Sequence, residues 1–124
     1  MTTIPKTVLI VDSNHDAADT LAILVRLHGH IPLVAYDRAS GEAMAERTKP
    51  EVIFHDVDTP IIDGYEAARR YRKDGKFERT LLVAVTAYKR TPGRDLGTRA
   101  GYDLYMSKPI ELAQLKEILS EQNC

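Results

Sequence analysis

Five short apolar runs, at residues 7–11, 31–36, 52–55, 81–85 and 102–106, divide the chain, and the segments between them have helical spacing. Runs of this length, rich in valine, leucine and isoleucine and bounded by turn residues, suit strands buried on both faces. After the first run, Ala18, Leu21, Leu24, Val25 and His28 recur at helical spacing from Asp16 onward, and Gly29 is placed to end that helix. The segment 39–48 is a weaker helix, because Ser40 and Gly41 have poor helical propensity, and Pro50 breaks it before the third run. Asp63 is the candidate N-cap of a helix through Tyr65, Ala68 and Tyr71, ending at the Lys73-Asp74-Gly75 turn. Pro92 opens a short fourth helix to about Ala100, and Leu112, Leu115, Ile118 and Leu119 form the apolar stripe of a fifth. Five strands alternating with five helices through short connections predict an α/β fold, a doubly wound five-stranded parallel sheet. Periodicity does not reveal the strand order; the flavodoxin-like order 2-1-3-4-5 is the common one for this count.

Composition narrows the function classes. At 124 residues the chain is one domain with a core near 6–121, and no output domain is expected. A net charge of −1 argues against nucleic acid or a membrane surface as the main partner. The single Cys124 excludes a disulfide framework and a thiolate metal site, and no apolar run approaches the length needed to span a bilayer. With no apolar leader at its start, the expected location is cytoplasmic.

The carboxyl ends of the predicted strands carry the chemistry. The first run stops at Asp12-Ser13, the third at Asp56, the fourth at Thr86, and the fifth is followed by Lys108. In a parallel sheet these ends share one edge. Two neighbouring carboxylates call for a cation, and a hard ion such as Mg²⁺ uses one or two carboxylates together with water and phosphate oxygens. Lys108 and Thr86 suit the remaining phosphoryl oxygens, one by charge and one by hydrogen bonding. A carboxylate nucleophile in this company suggests an aspartyl phosphate at Asp56.

The chain resembles the receiver domain of two-component response regulators, the CheY-like family, over essentially its whole length. The likeness is carried by Val8-Leu9-Ile10-Val11-Asp12, by Asp56 seven residues before Asp63-Gly64 with Pro60 between, and by Val85-Thr86-Ala87. Ala100-Gly101-Tyr102 and Tyr105-Met106-Ser107-Lys108-Pro109 complete it. The segment Asp16-Ala17-Ala18-Asp19-Thr20-Leu21 further resembles receivers attached to hybrid histidine kinases. The resemblance implies Asp56 as phosphoacceptor, with Asp12, Asp56 and the backbone carbonyl of Asp58 as Mg²⁺ ligands. It implies Thr86 and Lys108 as phosphoryl contacts, Thr86 and Tyr105 as switch residues, and a cis Lys108-Pro109 peptide, which proline permits. The implied partners are a histidine kinase or phosphotransfer protein upstream and a protein effector downstream, read out on the fourth-helix, fifth-strand and fifth-helix surface. The implied protein is a monomer or weak homodimer, and a signalling module, not an enzyme.

One departure stands out. Receivers usually carry two acids after the first strand, and Ser13 occupies the second position. A serine hydroxyl brings no charge to a hard cation, so either the metal site is weakened or another acid compensates, with Asp58 the nearest and Asp16 farther off. The alternative function is accordingly a pseudo-receiver that docks without phosphorylation. Asp56-Val57-Asp58-Thr59 also resembles the Asp-x-Asp signature of haloacid-dehalogenase-type phosphatases, but that signature belongs to the first strand. Only Glu111, Glu117 and Glu121 follow the lysine, all on the last helix. Tyr88, two residues past Thr86, is placed to shield or crowd the site, or simply to lie on the loop surface. His55 should face away from Asp56 as a hydrogen-bonded core residue. His15, His28 and His30 read as surface residues, and Arg69, Arg70, Arg72 and Lys73 as a solvated helix face.

Overall fold

The computed structural model describes residues 4–58, 64–75, 77–86 and 101–120. Five strands form one parallel sheet: β1 (Thr7–Val11), β2 (Ile31–Ala35), β3 (Val52–Asp56), β4 (Leu81–Thr86) and β5 (Leu104–Ser107). Their order is β2-β1-β3-β4-β5, the flavodoxin-like order. Among the described residues the helices are α1 (His15–Leu27), α2 (Arg38–Thr48), α3 (Gly64–Arg72), a 3-10 turn (Lys73–Gly75) and α4 (Leu112–Ser120). The helix expected over 92–100 and the Asp63 cap lie outside the described residues.

The period-2 alternation of each strand builds two separate cores. Val8, Ile10, Phe54, Val83 and Val85 pack with Ala18, Leu21 and Val25 of α1 and with Leu115, Ile118 and Leu119 of α4. Their strand neighbours Leu9, Val11, Ile53, Leu82 and Ala84 pack with Ala45 of α2 and Ala67, Ala68 and Tyr71 of α3. This two-sided burial explains why the central strands read as continuous apolar runs. Leu112 is 56% exposed, so it starts α4 without joining the core stripe. The fifth strand begins at Leu104, two residues later than expected, because Gly101 and Asp103 before it serve as an anchor for Arg72 of α3.

Helix boundaries follow local chemistry. The Asn14 side chain accepts from Ala17 N to cap α1, and the Asp37 side chain accepts from Ser40 N to cap α2. Gly29, at φ +87°, supplies the left-handed turn after α1 that a side chain would resist.

Two surface assignments are corrected by the fold. Arg69 and Arg70 are exposed and pair with Glu66 and Glu42, but Arg72 turns inward. Its guanidinium donates to the carbonyls of Gly101, Phe77 and Thr80 and pairs with Asp103 at 2.6 Å. Helical spacing places Arg72 beside the other cations; only the return of residues 101–103 against α3 shows that it is a hub. His30 is buried as well, where its Nδ1 accepts from Lys6 N at 2.9 Å. His15, by contrast, is exposed and stacks on Tyr36, and His28 is half-buried with Nδ1 at 2.8 Å from the Leu24 carbonyl.

The burial of His30 has a pH consequence. Desolvation, then the charges of Lys6 and His28, lower its pKa below the ordinary 6.5. In the window beneath 6.5 the unfolded chain then binds more protons than the folded one, so this group's contribution to stability is full above the window and falls on acidification through it. Urea midpoints are expected to drop between about pH 7.5 and about pH 5. His30→Asn, whose Oδ1 can still accept from Lys6 N, should show a smaller drop; an unchanged slope would remove His30 from the account.

Candidate functional site

The reversal of strand order between β1 and β3 creates a crevice at the carboxyl edge of the sheet, the usual ligand position in open α/β folds. Val11 of β1 is in register with His55 of β3. Asp12, just past β1, and Asp56, the last residue of β3, come next, and both are buried. Each carboxylate is set by the same local device. Asp12 Oδ1 accepts from Asn14 N at 2.9 Å, and Asp56 Oδ1 accepts from Asp58 N at 3.1 Å. A short acidic side chain thus folds the following two residues around itself, as aspartate does in turns.

Lys108 closes the site from the far side of the sheet. Its backbone N donates to the Thr86 carbonyl at 2.7 Å, which anchors the loop after β5 to the end of β4. Its Nζ lies 3.0 Å from Asp12 Oδ2 and 3.3 Å from Asp56 Oδ1. Burial works against the ammonium, but the Asp12 hydrogen bond and the charges of Asp56 and Asp12 outweigh it, so the Lys108 pKa is raised. The Lys108-Pro109 peptide is cis.

Thr86, almost fully buried at the end of β4, donates from Oγ1 to Asp58 Oδ1 at 2.6 Å. The Asp58 carboxylate therefore engages the threonine. Ser13 is partly exposed beside Asp12. Tyr105 is half-buried on β5, packed edge-on to Tyr102 and against the α2/α3 core. Tyr88 lies outside the described residues. The structure thus brings together Asp12, Asp56, Asp58, Thr86 and Lys108. The Asp58–Thr86 bond was not legible in sequence, since it spans 28 positions and two strands.

His55 is fully buried on the α3 side, opposite Asp56, as its strand parity requires. Its Nδ1 lies 3.0 Å from the Asp56 carbonyl, an acceptor, so Nδ1 carries the proton. Burial lowers its pKa and keeps the ring neutral, despite the opposing Asp56 carbonyl and the charges of Asp56, Glu42 and Asp12. Its Nε2 and the Tyr71 hydroxyl have no hydrogen-bond partner among the described residues.

A cleft of about 500 Å³ opens beside the acids between α1 and the loop after β5. Asp12, Asp16, Asp56 and Lys108 lie on its polar side, and Leu21 and Ile110 on its apolar side. The donor set suits a hard divalent cation: two carboxylates from adjacent strands already converge on one positive charge, and all candidate ligands are oxygen.

A doubly wound sheet with paired acids at its switch point, bridged by a lysine just past the last strand, is a CheY-like, flavodoxin-like signalling fold. The chain belongs to the response regulator receiver domain family, which it matches over residues 8–120. It is 30% identical to protein PilH of Pseudomonas aeruginosa, over 84% of this chain and 86% of that protein. It is 29% identical to hybrid signal transduction histidine kinase L of Dictyostelium discoideum, over 92% of this chain but 7% of that much longer protein. Among solved structures it is similar to the receiver domain of a sensor histidine kinase from Pseudomonas aeruginosa that holds a magnesium ion in its active-site cleft. There the identity is 28%, the coverage 94% of this chain and 95% of the other, and the TM-score 0.83. No helix among the described residues is long and apolar enough to cross a membrane.

Proposed function

We propose that this chain takes a phosphoryl group onto Asp56 from a phosphohistidine of a kinase or phosphotransfer protein, and passes the signal on through protein contacts. The observation that carries this reading is the convergence of Lys108 Nζ on both Asp12 and Asp56. An Asp56 carboxylate oxygen attacks phosphorus, the donor's P–N bond breaks, and the departing imidazole takes a proton from solvent. Lys108, already held over Asp56, neutralises charge on the transferring oxygens, and Thr86 offers its hydroxyl to one of them. Asp12, Asp56 and the Asp58 carbonyl would hold Mg²⁺, which would supply further neutralisation of phosphoryl charge. Thr86 and Tyr105 would then shift the surface formed by β5 and α4 toward its effector. The acyl phosphate leaves the chain a signalling module and not a turnover enzyme.

Incubation with acetyl phosphate and Mg²⁺ should raise the intact mass by one phosphoryl group, and Asp56→Asn should show no such rise. Ser13 supports a second reading, a receiver that docks partners without phosphorylation, because it leaves the metal one acid short of the usual set. A wild-type mass that stays unchanged under saturating Mg²⁺ selects that reading over the first.

A further inference from the structure

The short bond between Thr86 and Asp58 ties up the hydroxyl donor that a phosphoryl group on Asp56 would need beside Lys108. A threonine hydroxyl carries a single proton, and a carboxylate is an acceptor only. At 2.6 Å, with a charged acceptor and a buried donor, the bond from Thr86 Oγ1 to Asp58 Oδ1 is of the strong, charge-assisted kind. Asp58 is also attached to the phosphoacceptor, since its backbone N donates to Asp56 Oδ1. One residue therefore links the accepting carboxylate to the switch hydroxyl, through its main chain on one side and its side chain on the other.

We infer that the Asp58 carboxylate is a resting-state latch: it holds the Thr86 hydroxyl until a phosphoryl group on Asp56 competes for the same proton. This rests on the phosphoacceptor reading of Asp56. The two arrangements exclude each other, because the proton cannot serve Asp58 and a phosphoryl oxygen together. Asp58 also places a negative charge beside the position an anionic phosphoryl group must occupy, so it opposes the modified state twice. The latch biases the two-state equilibrium toward rest by the strength of the Thr86–Asp58 bond that must break before the hydroxyl can turn to the phosphoryl group. A charged bond of this type corresponds to about a tenfold bias.

The test is a double-mutant cycle with Asp58→Ala and Thr86→Val, read in two ways. In the protein without metal or phosphodonor, urea unfolding should show the two substitutions coupled, the double variant losing less stability than the sum of the singles. With Mg²⁺ saturating for each variant, Asp58→Ala should bind beryllofluoride about tenfold more tightly than wild type, and the gain should shrink in the Thr86→Val background to the part that the Asp58 charge supplies alone; a gain of the same size in both backgrounds would overturn the latch. Additive unfolding energies would overturn the latch, as would weaker beryllofluoride binding by Asp58→Ala. The second result would instead assign the carboxylate to the cation as compensation for Ser13. If wild type takes up neither phosphoryl group nor beryllofluoride, the phosphoacceptor reading fails, and the unfolding cycle still reports on the bond by itself.

Discussion

Replacing Lys108 by methionine is expected to destabilise the fold by roughly 3 kcal/mol near neutral pH, and to slow phosphoryl uptake on Asp56 by about 10²-fold or more. The stability loss follows from the geometry. Asp12 and Asp56 are both buried, and the Lys108 ammonium sits within 3.0 and 3.3 Å of them. Methionine keeps most of the aliphatic stem but leaves two neighbouring carboxylates without this charge. An uncompensated buried charge is among the more costly single defects in a protein. Mg²⁺, which replaces the missing cation and stabilises by mass action, should recover much of the loss. Denaturant midpoints of wild type and Lys108→Met, measured across Mg²⁺ concentration, check this. A variant as stable as wild type in the absence of Mg²⁺ would show that the two acids do not repel appreciably. Uptake should remain slow even where Mg²⁺ restores stability, because the ammonium is then still missing from the transferring oxygens.

Arg72→Met is expected to cost at least as much stability, about 3–5 kcal/mol, with the site left intact. The guanidinium satisfies three backbone carbonyls and one carboxylate at once, and Asp103 Oδ2 in turn accepts from Leu82 N at 2.9 Å. These bonds tie the end of α3 to the entries of β4 and β5, at the amino edge of the sheet, far from Asp56. Gly101 belongs to the same knot: at φ +127° it adopts a conformation side chains resist, and a Cβ there would stand 2.6 Å from Arg72 Cγ. A melting temperature lower by roughly 10 °C, with phosphoryl uptake preserved in the cold, is the expected signature. A variant that melts with wild type would return Arg72 to the solvated face that its helical spacing suggests.

These two residues mark the boundary of what a sequence reading reaches. Lys108 was legible because it follows a strand-like run, and parallel strands deliver whatever follows them to a single edge. Asp12, Asp56 and Thr86 were legible for the same reason. Arg72 was not, since nothing local distinguishes it from Arg69 and Arg70; the difference is made by acceptors from five to thirty-one positions away. His30 was misplaced on similar grounds, because its partner Lys6 N is brought in by the pairing of β1 with β2.

What the sequence determined by itself is the type of each described element and, Arg72, His30 and Leu112 apart, its buried face, since those follow from side-chain period and the bounding turn residues, both local properties. It also set which polar residues reach the carboxyl edge. The tertiary structure decided the strand order, and so that Asp12 and Asp56 stand side by side at the switch point. It decided equally that one lysine spans both acids and that the Asp58 carboxylate takes the Thr86 hydroxyl. Each of those outcomes joins residues 28 or more positions apart, where the choice of partner depends on the packing of the whole sheet and not on any stretch of it.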